Sequence, residues 1–213
     1  MSPSQRSSVR RLPERGSYDH QSLYAVLDEG LICHLGFVVD GQPFVIPTGY
    51  GRDGDKLYIH GSVASRMLRH LAQGHPMSVC VTLLDGLVLA RSGFHHSMNY
   101  RSAVVFGKGR LVEDAEEKMR ALLVISEHLV PGRWAEVRGP NGKELKATSV
   151  IRLEIEDFSV KTRSGPPKDE AEDYALPVWA GVLPLAMTTG EPQADPKMEH
   201  AAEVPEYVKK YRR

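Results

Sequence analysis

Apolar and polar positions change period several times along the chain, and each change marks an element. From Leu31 to Gly61 the order LICHLGFVVDGQPFVIPTGYGRDGDKLYIHG sets short apolar, β-branched and aromatic runs between Asp40-Gly41 and the Arg52-Asp53-Gly54-Asp55 cluster. This predicts three consecutive strands joined by hairpin turns, because Asp-Gly supplies the positive φ angles that a tight primed turn demands. HPMSVCVTLLDGLVLARS, YRSAVVFGKGRLVED and TSVIRLEIEDFSVKTR give four more strand-like runs, with Gly86, Gly107 and Gly109 as turns, bends or bulges. Many short strands at this spacing favour an antiparallel barrel or sandwich over a parallel α/β sheet.

Three segments switch to helical spacing. Ser17-Tyr18-Asp19 opens one that carries Leu23, Tyr24 and Leu27 and stops at Gly30. Ser65 to Gln73 is the second, stopped by Gly74, and Asp114 with Glu117 resembles a capping box ahead of MRALLVISEHLV, whose Leu122, Leu123, Ile125 and Leu129 read as core. Residues 1–15, rich in Ser, Arg and Pro, read as a flexible arm, 16–187 as the folded domain, and 188–213 as a polar tail. Within the tail, Val204 to Tyr211 is expected to make a helical turn or two, with Pro205 near its start.

Composition narrows the partners. Lys plus Arg equals Asp plus Glu at 27 each, so no global field draws nucleic acid or an anionic membrane, and neither is expected. The apolar runs are too short to span a bilayer, and MSPSQRSSVRRLPERGS lacks the apolar stretch of a signal peptide, so a cytoplasmic location is expected. Cys33 and Cys80 lie in apolar strands, where reduced thiols are the expected state.

The chemistry concentrates in KLYIHGSVASRMLRHL. A strand ends in a small-residue turn with His60, Ser62 and Ser65, and a helix opens with Arg66. Hydroxyls and free amides at a helix start can surround an anion, and arginine can grip two phosphate oxygens, so a nucleotide-type cofactor is the natural ligand. The plainer alternative is that Ser62 or Ser65 caps the helix and Arg66 is a surface cation. His95 and His96, adjacent on a strand, point to opposite faces and do not form a metal site. His60 suits either proton transfer or a neutral hydrogen bond. Ser62 and Ser65 lack a G-x-S-x-G elbow and a triad, which removes acyl transfer.

The order LGFVVDGQPFVIPTGYGRDGDKLYIHGS, SRMLRHL, NYRSAVVFGKGRLVED, ATSVIRLEIEDFSVKTRSGPPKDEAEDY and VWAGVLPL resembles the pyridoxamine 5'-phosphate oxidase-like FMN-binding split barrels, and most of all their flavin-nucleotide-binding branch with the nitroimidazole reductases. The resemblance runs from about Arg10 to Leu185. It implies a six-stranded antiparallel split barrel flanked by helices, a homodimer with FMN at the subunit interface. It also implies roles: Ile46, Pro47, Thr48 and Tyr50 along the isoalloxazine edge, Ile59 and His60 beneath the ribityl chain, Ser65 and Arg66 on the phosphate, and Ser102 reaching the ring from the opposite subunit. Met67 stands where relatives commonly place Lys, a lost cation for which Lys161 or Arg163 is the candidate substitute. Trp134 and Trp179 read as packing residues, Trp179 with a place beside a flavin face as its other reading.

The expectation is therefore an FMN-dependent oxidoreductase passing electrons from NAD(P)H to a small acceptor such as a nitroaromatic or quinone. The rival is a non-enzymatic flavin carrier or sensor, which needs the same site. Pyridoxamine phosphate oxidation requires a cationic grip that VWAGVLPLAMTTG does not offer, and a split barrel holding haem or deazaflavin is the remaining alternative.

Overall fold

The computed structural model describes residues 3–200 and 202–212. Met1 and Ser2 of the expected arm, and Ala201 and Arg213 of the expected tail, lie outside the described residues. The turn signals act where they stand. β2 (Ile32–Val39) and β3 (Gln42–Gly49) pair antiparallel across Asp40 (φ 50°) and Gly41 (φ 79°), the two left-handed residues a primed turn requires. β4 (Gly51–Asp53) turns at Gly54 into β5 (Lys56–Ser62). β6 (Pro76–Leu89) and β7 (Ser97–Lys108) pair along their length, and the register shift between Leu84 and Gly86 makes Asp85-Gly86 a bulge that bends β6 without ending it. β8 (Arg110–Leu111), β9 (Thr148–Glu154) and β10 (Asp157–Arg163) follow, with two short strands, β1 (Gly16–Ser17) and β11 (Gly181–Pro184), added at the edges.

All pairings are antiparallel. One sheet has the order β1-β10-β7-β6-β2-β3 with β11 on β6, and the other β4-β5-β9-β8. This is the β-rich split barrel expected, opened into two sheets. Its strands outnumber the expected six, in part because the two-residue strands β1 and β8 are too short to show a period and because Tyr50 divides one run into β3 and β4.

α1 (His20–Glu29) is capped by Asp19, whose carboxylate accepts from the Ser22 amide at 2.7 Å; with the Ser17 and Ser22 hydroxyls this pulls its pKa down to about 2. α2 (Arg66–Ala72) starts at Ser65, and α3 (Ala115–Leu129) at Asp114. α4 (Gly142–Ala147) carries a full capping box between Asn141 and Glu144, and α5 (Glu206–Lys209) follows Pro205. Leu23 and Leu27 of α1 join Leu35, Val79, Val81, Ala103, Val105, Ile151 and Leu153 in a core between the sheets. A second cluster, Tyr58, Val112, Ala121, Ile125 and Val150, lies under α3. The smaller sheet is thus covered on both faces, which is why Leu57, Tyr58 and Ile59 are all buried in succession.

Described residues near both ends are tied to this body. Ser4 Oγ donates to Asp157 at 2.9 Å and Lys161 Nζ to the Arg11 carbonyl at 2.9 Å, while the Tyr211 hydroxyl donates to the Leu129 carbonyl at 2.7 Å. No helix among the described residues is long and apolar enough to cross a membrane.

Candidate functional site

The two sheets share no ladder, and one gap between them, the seam, runs beside β3. β3 ends the large sheet, so one side of its backbone has no strand partner. β4 covers β5 only as far as Tyr58, leaving Ile59–Ser62 paired with β9 alone. Because the chain turns from β3 through Tyr50 into β4 and back along β5, these two unpaired edges run beside each other. Unpaired strand edges hold amides and carbonyls that need partners, so a flat ligand with its own donors and acceptors can be held between them.

α2 closes one end of the seam. The Ser65 amide donates to the Ser62 carbonyl at 2.9 Å, the Ala64 amide to Ser62 Oγ at 3.1 Å, and the Leu68 amide to Ser65 Oγ at 3.4 Å. The amides of Arg66 and Met67 have no acceptor among the described residues. The exposed Arg66 guanidinium lies 4.7 Å over the Phe44 ring of β3, and among the described residues it has neither carboxylate nor hydrogen-bond partner. Ser65 caps the helix, and Arg66 stands uncompensated among the described residues beside the two free amides. With seven residues in α2, the attraction comes from Arg66 itself.

The seam gathers most of the sequence-derived candidates and divides their roles. Ile46 and Thr48 turn toward the core side of β3, and Pro47 turns outward. Ile59 is buried in the main core, and His60, next along β5, points to the opposite face. His60 presents an exposed ring, yet it is packed closely enough for desolvation to hold its pKa below the usual value. Tyr50 is fully buried; its hydroxyl donates to the Leu27 carbonyl at 2.5 Å and its ring packs on His128, so it forms the corner of the seam.

Ser102 and Lys161 lie elsewhere, paired to each other on β7 and β10, with Ser102 Oγ donating to the Lys161 carbonyl at 3.3 Å. β7 is three strands from β3, about 14 Å at the usual interstrand spacing. Met67 packs against the core. Arg163 is buried and donates to Asn99, Gly165 and Pro166, and Lys161 donates to the Arg11 carbonyl, so both cations are already engaged. His96 Nδ1 accepts from the Ala90 amide, and Trp179 is 68% exposed.

A second feature was not legible in the sequence. At the end of the large sheet, where β2, β3 and β6 meet the C-terminus of α1, a cavity of about 720 Å³ is lined by Ile32, His34, Pro47, Leu83, Leu84 and Met187 among others. At its rim Arg101 donates to both carboxylates of a pair, Glu29 and Asp85, which hold its pKa above the usual arginine value. Glu29 and Asp85 are distant from Arg101 in sequence, so only the fold assembles this group.

An antiparallel barrel divided into two sheets, with helices packed against them, defines a split-barrel protein. The chain belongs to the pyridoxamine 5'-phosphate oxidase family, whose model of that description matches residues 19–162. It is similar to the flavocytochrome Anf3 from Azotobacter vinelandii, at 39% identity over 99% of this chain and 98% of that one, with a TM-score of 0.93. It is also similar to the FAD and heme binding protein from Mycobacterium smegmatis, at 40% identity over 92% of this chain and 96% of that one, TM-score 0.88. A candidate 5-nitroimidazole antibiotic resistance protein from Bacteroides thetaiotaomicron matches at 25% identity over 68% of this chain and 85% of that one, TM-score 0.55. No curated protein matches the chain.

Proposed function

We propose that this protein is a homodimeric flavin-binding electron-transfer protein that holds a flavin nucleotide, FMN or FAD, in the seam. It would take electrons from NAD(P)H and pass them to a small acceptor such as a nitroaromatic or quinone. A haem is its second redox group, a part of the reading that follows the two relatives matched over nearly their whole length. The observation that carries the flavin reading is the juxtaposition of two unpaired strand edges with the uncompensated Arg66.

When bound, the flavin supplies two-electron acceptance from a reduced nicotinamide and delivery to an acceptor. The residues of the chain bind and orient. Arg66 and the amides of Arg66 and Met67 hold the phosphate, and the backbone of Ile46, Pro47 and Thr48 offers hydrogen bonds along the ring edge. His60, kept neutral at pH 7 by desolvation, can donate one hydrogen bond and accept a proton at its other nitrogen. Ser102 faces outward on the large sheet, where Ile32, Val38 and Val45 are also exposed; an apolar sheet face of this kind is a natural contact for a second copy. Pairing there would bring the partner subunit's copy of this face to the seam.

Anaerobic stopped-flow at the flavin band, with NADH or NADPH and free flavin as control, tests the reading. Faster reduction than the control, with electrons appearing in an added quinone, is expected. A rate equal to the control would leave the carrier or sensor.

A further inference from the structure

We infer that Phe44 is the positioning residue for Arg66, restraining the guanidinium with its hydrogen-bond donors free for a nucleotide phosphate; this rests on the flavin reading above. Phe37 of β2 and Phe44 of β3 stand directly opposite in the ladder, and their rings stack at 5.5 Å with 15° between the planes. Arg66 and His70 are an i,i+4 pair on α2 and share one face of that helix. Arg66 lies 4.7 Å over Phe44, and the His70 ring lies 5.7 Å from Phe37. The spacings match, because i,i+4 side chains on a helix and directly opposed side chains on a sheet both leave their Cβ atoms about 5 Å apart. One face of α2 therefore seats on one aromatic pair. The file of rings ends at His75, stacked on His70 at 4.0 Å, and Arg66 is the member at the other end.

What sets Arg66 apart is the partner it lacks. Four arginines among the described residues lie over an aromatic ring. Arg6 over Phe106 is paired with Asp157, Arg52 over Tyr24 with Asp28, and Arg91 over Tyr174 with Asp169. Arg66 over Phe44 has no carboxylate among the described residues. A carboxylate takes up the N–H groups through which arginine grips an oxyanion, whereas an aromatic face stabilises the cation without an acceptor atom that would occupy them.

The ring also limits the conformations of a long side chain, so part of the ordering that binding requires is done before the ligand arrives. Phe44 is itself held by its stacking on Phe37, which is 4% exposed. The cation is thus fixed to the barrel through two strands that are continuous with the seam, and not only through its own helix.

Fluorescence titrations of the full chain, freed of bound flavin, test the assignment. The probes are FMN and FAD, which carry phosphate at the end of the ribityl chain, and riboflavin, which does not. The wild type is expected to prefer the phosphorylated flavins. Phe44→Leu and Phe44→Met, which keep an apolar side chain, should weaken these about two- to fivefold and leave riboflavin unchanged. Phe44→Tyr, which keeps the aromatic face, should bind as the wild type does. With Arg66→Ala already in place, Phe44→Leu should add nothing, because the two residues act through one contact. No loss in either apolar variant, an equal loss for riboflavin, a loss that Phe44→Tyr shares, or a loss that persists beside Arg66→Ala overturns the assignment alone. A wild type without preference for the phosphorylated flavins, unaltered by Arg66→Ala, overturns the phosphate reading and the assignment together.

Discussion

At the scale of residues, the cradle shows how one side chain can do two jobs' worth of selection. Among the described residues Arg66 has only the face of Phe44 beside it, and Met67 packs inward, so a phosphate in this turn would meet one guanidinium and the two free amides. Arg66→Ala is expected to weaken flavin binding by about 1.5–3 kcal/mol, roughly ten- to a hundredfold in Kd, in a flavin-fluorescence titration. Unchanged affinity would move the phosphate elsewhere. His60 adds a pH dependence. Its pKa is below the usual 6.5 because burial disfavours the imidazolium, so the unfolded chain binds this proton more tightly than the folded one. Its contribution to stability is therefore full above pH 6.5 and is lost as pH falls from there toward the folded value. Thermal melts between pH 5 and 7.5 should show a shallower acid-side slope for His60→Gln than for the wild type; equal slopes would assign the effect to another group. The chemistry of Arg66 and His60 is legible from residue type and spacing, because both lie within one continuous strand-turn-helix. That Tyr50 is a buried corner is not, since its hydroxyl partner belongs to α1.

Among the elements, the strands with alternating or apolar runs and clear turn residues were the ones the sequence marked well. β2 and β3 meet across Asp40-Gly41, and α1 and α3 begin at Asp19 and Asp114. α4 went unmarked because six residues cannot establish a period, although Asn141 and Glu144 form its capping box. The docking of α3 on β4 also escapes any periodicity argument, and it is set by Gly51. A Cβ there would meet the backbone of Ile125 at 2.8 Å and of Val124 at 2.9 Å, atoms that cannot rotate away. Gly51→Ala is expected to destabilise the fold by about 1–3 kcal/mol through overpacking, read as a lower urea midpoint at an unchanged m-value. A midpoint equal to the wild type would mean that α3 shifts on the sheet without cost.

For the whole molecule, the consequential surface is the outer face of the large sheet. Val45, 69% exposed, stands there with Ile32 and Val38, and the same face carries Ser102 and His34. If two copies pair through it, Val45→Asp places a charge in a desolvated contact, and sedimentation should show a dimer converted to a monomer that retains less flavin. A wild-type monomer holding stoichiometric flavin would remove the dimer from the proposed function.

The sequence by itself determined the elements whose signals are local. Hairpin turns follow from Asp-Gly backbone preferences, helix starts from side chains that reach amides two or three residues on, and the Ser62–Arg66 cradle from a strand running directly into a helix. These depend on neighbours within a few residues, which the chain order states outright. Only the tertiary structure decided which strand edges stay unpaired, that Arg101 is shared by Glu29 and Asp85, and that these three line a cavity together with His34. Each of these depends on how the two sheets close, and closure is fixed by packing between strands far apart in the chain, where residue type says what can pair but not what does.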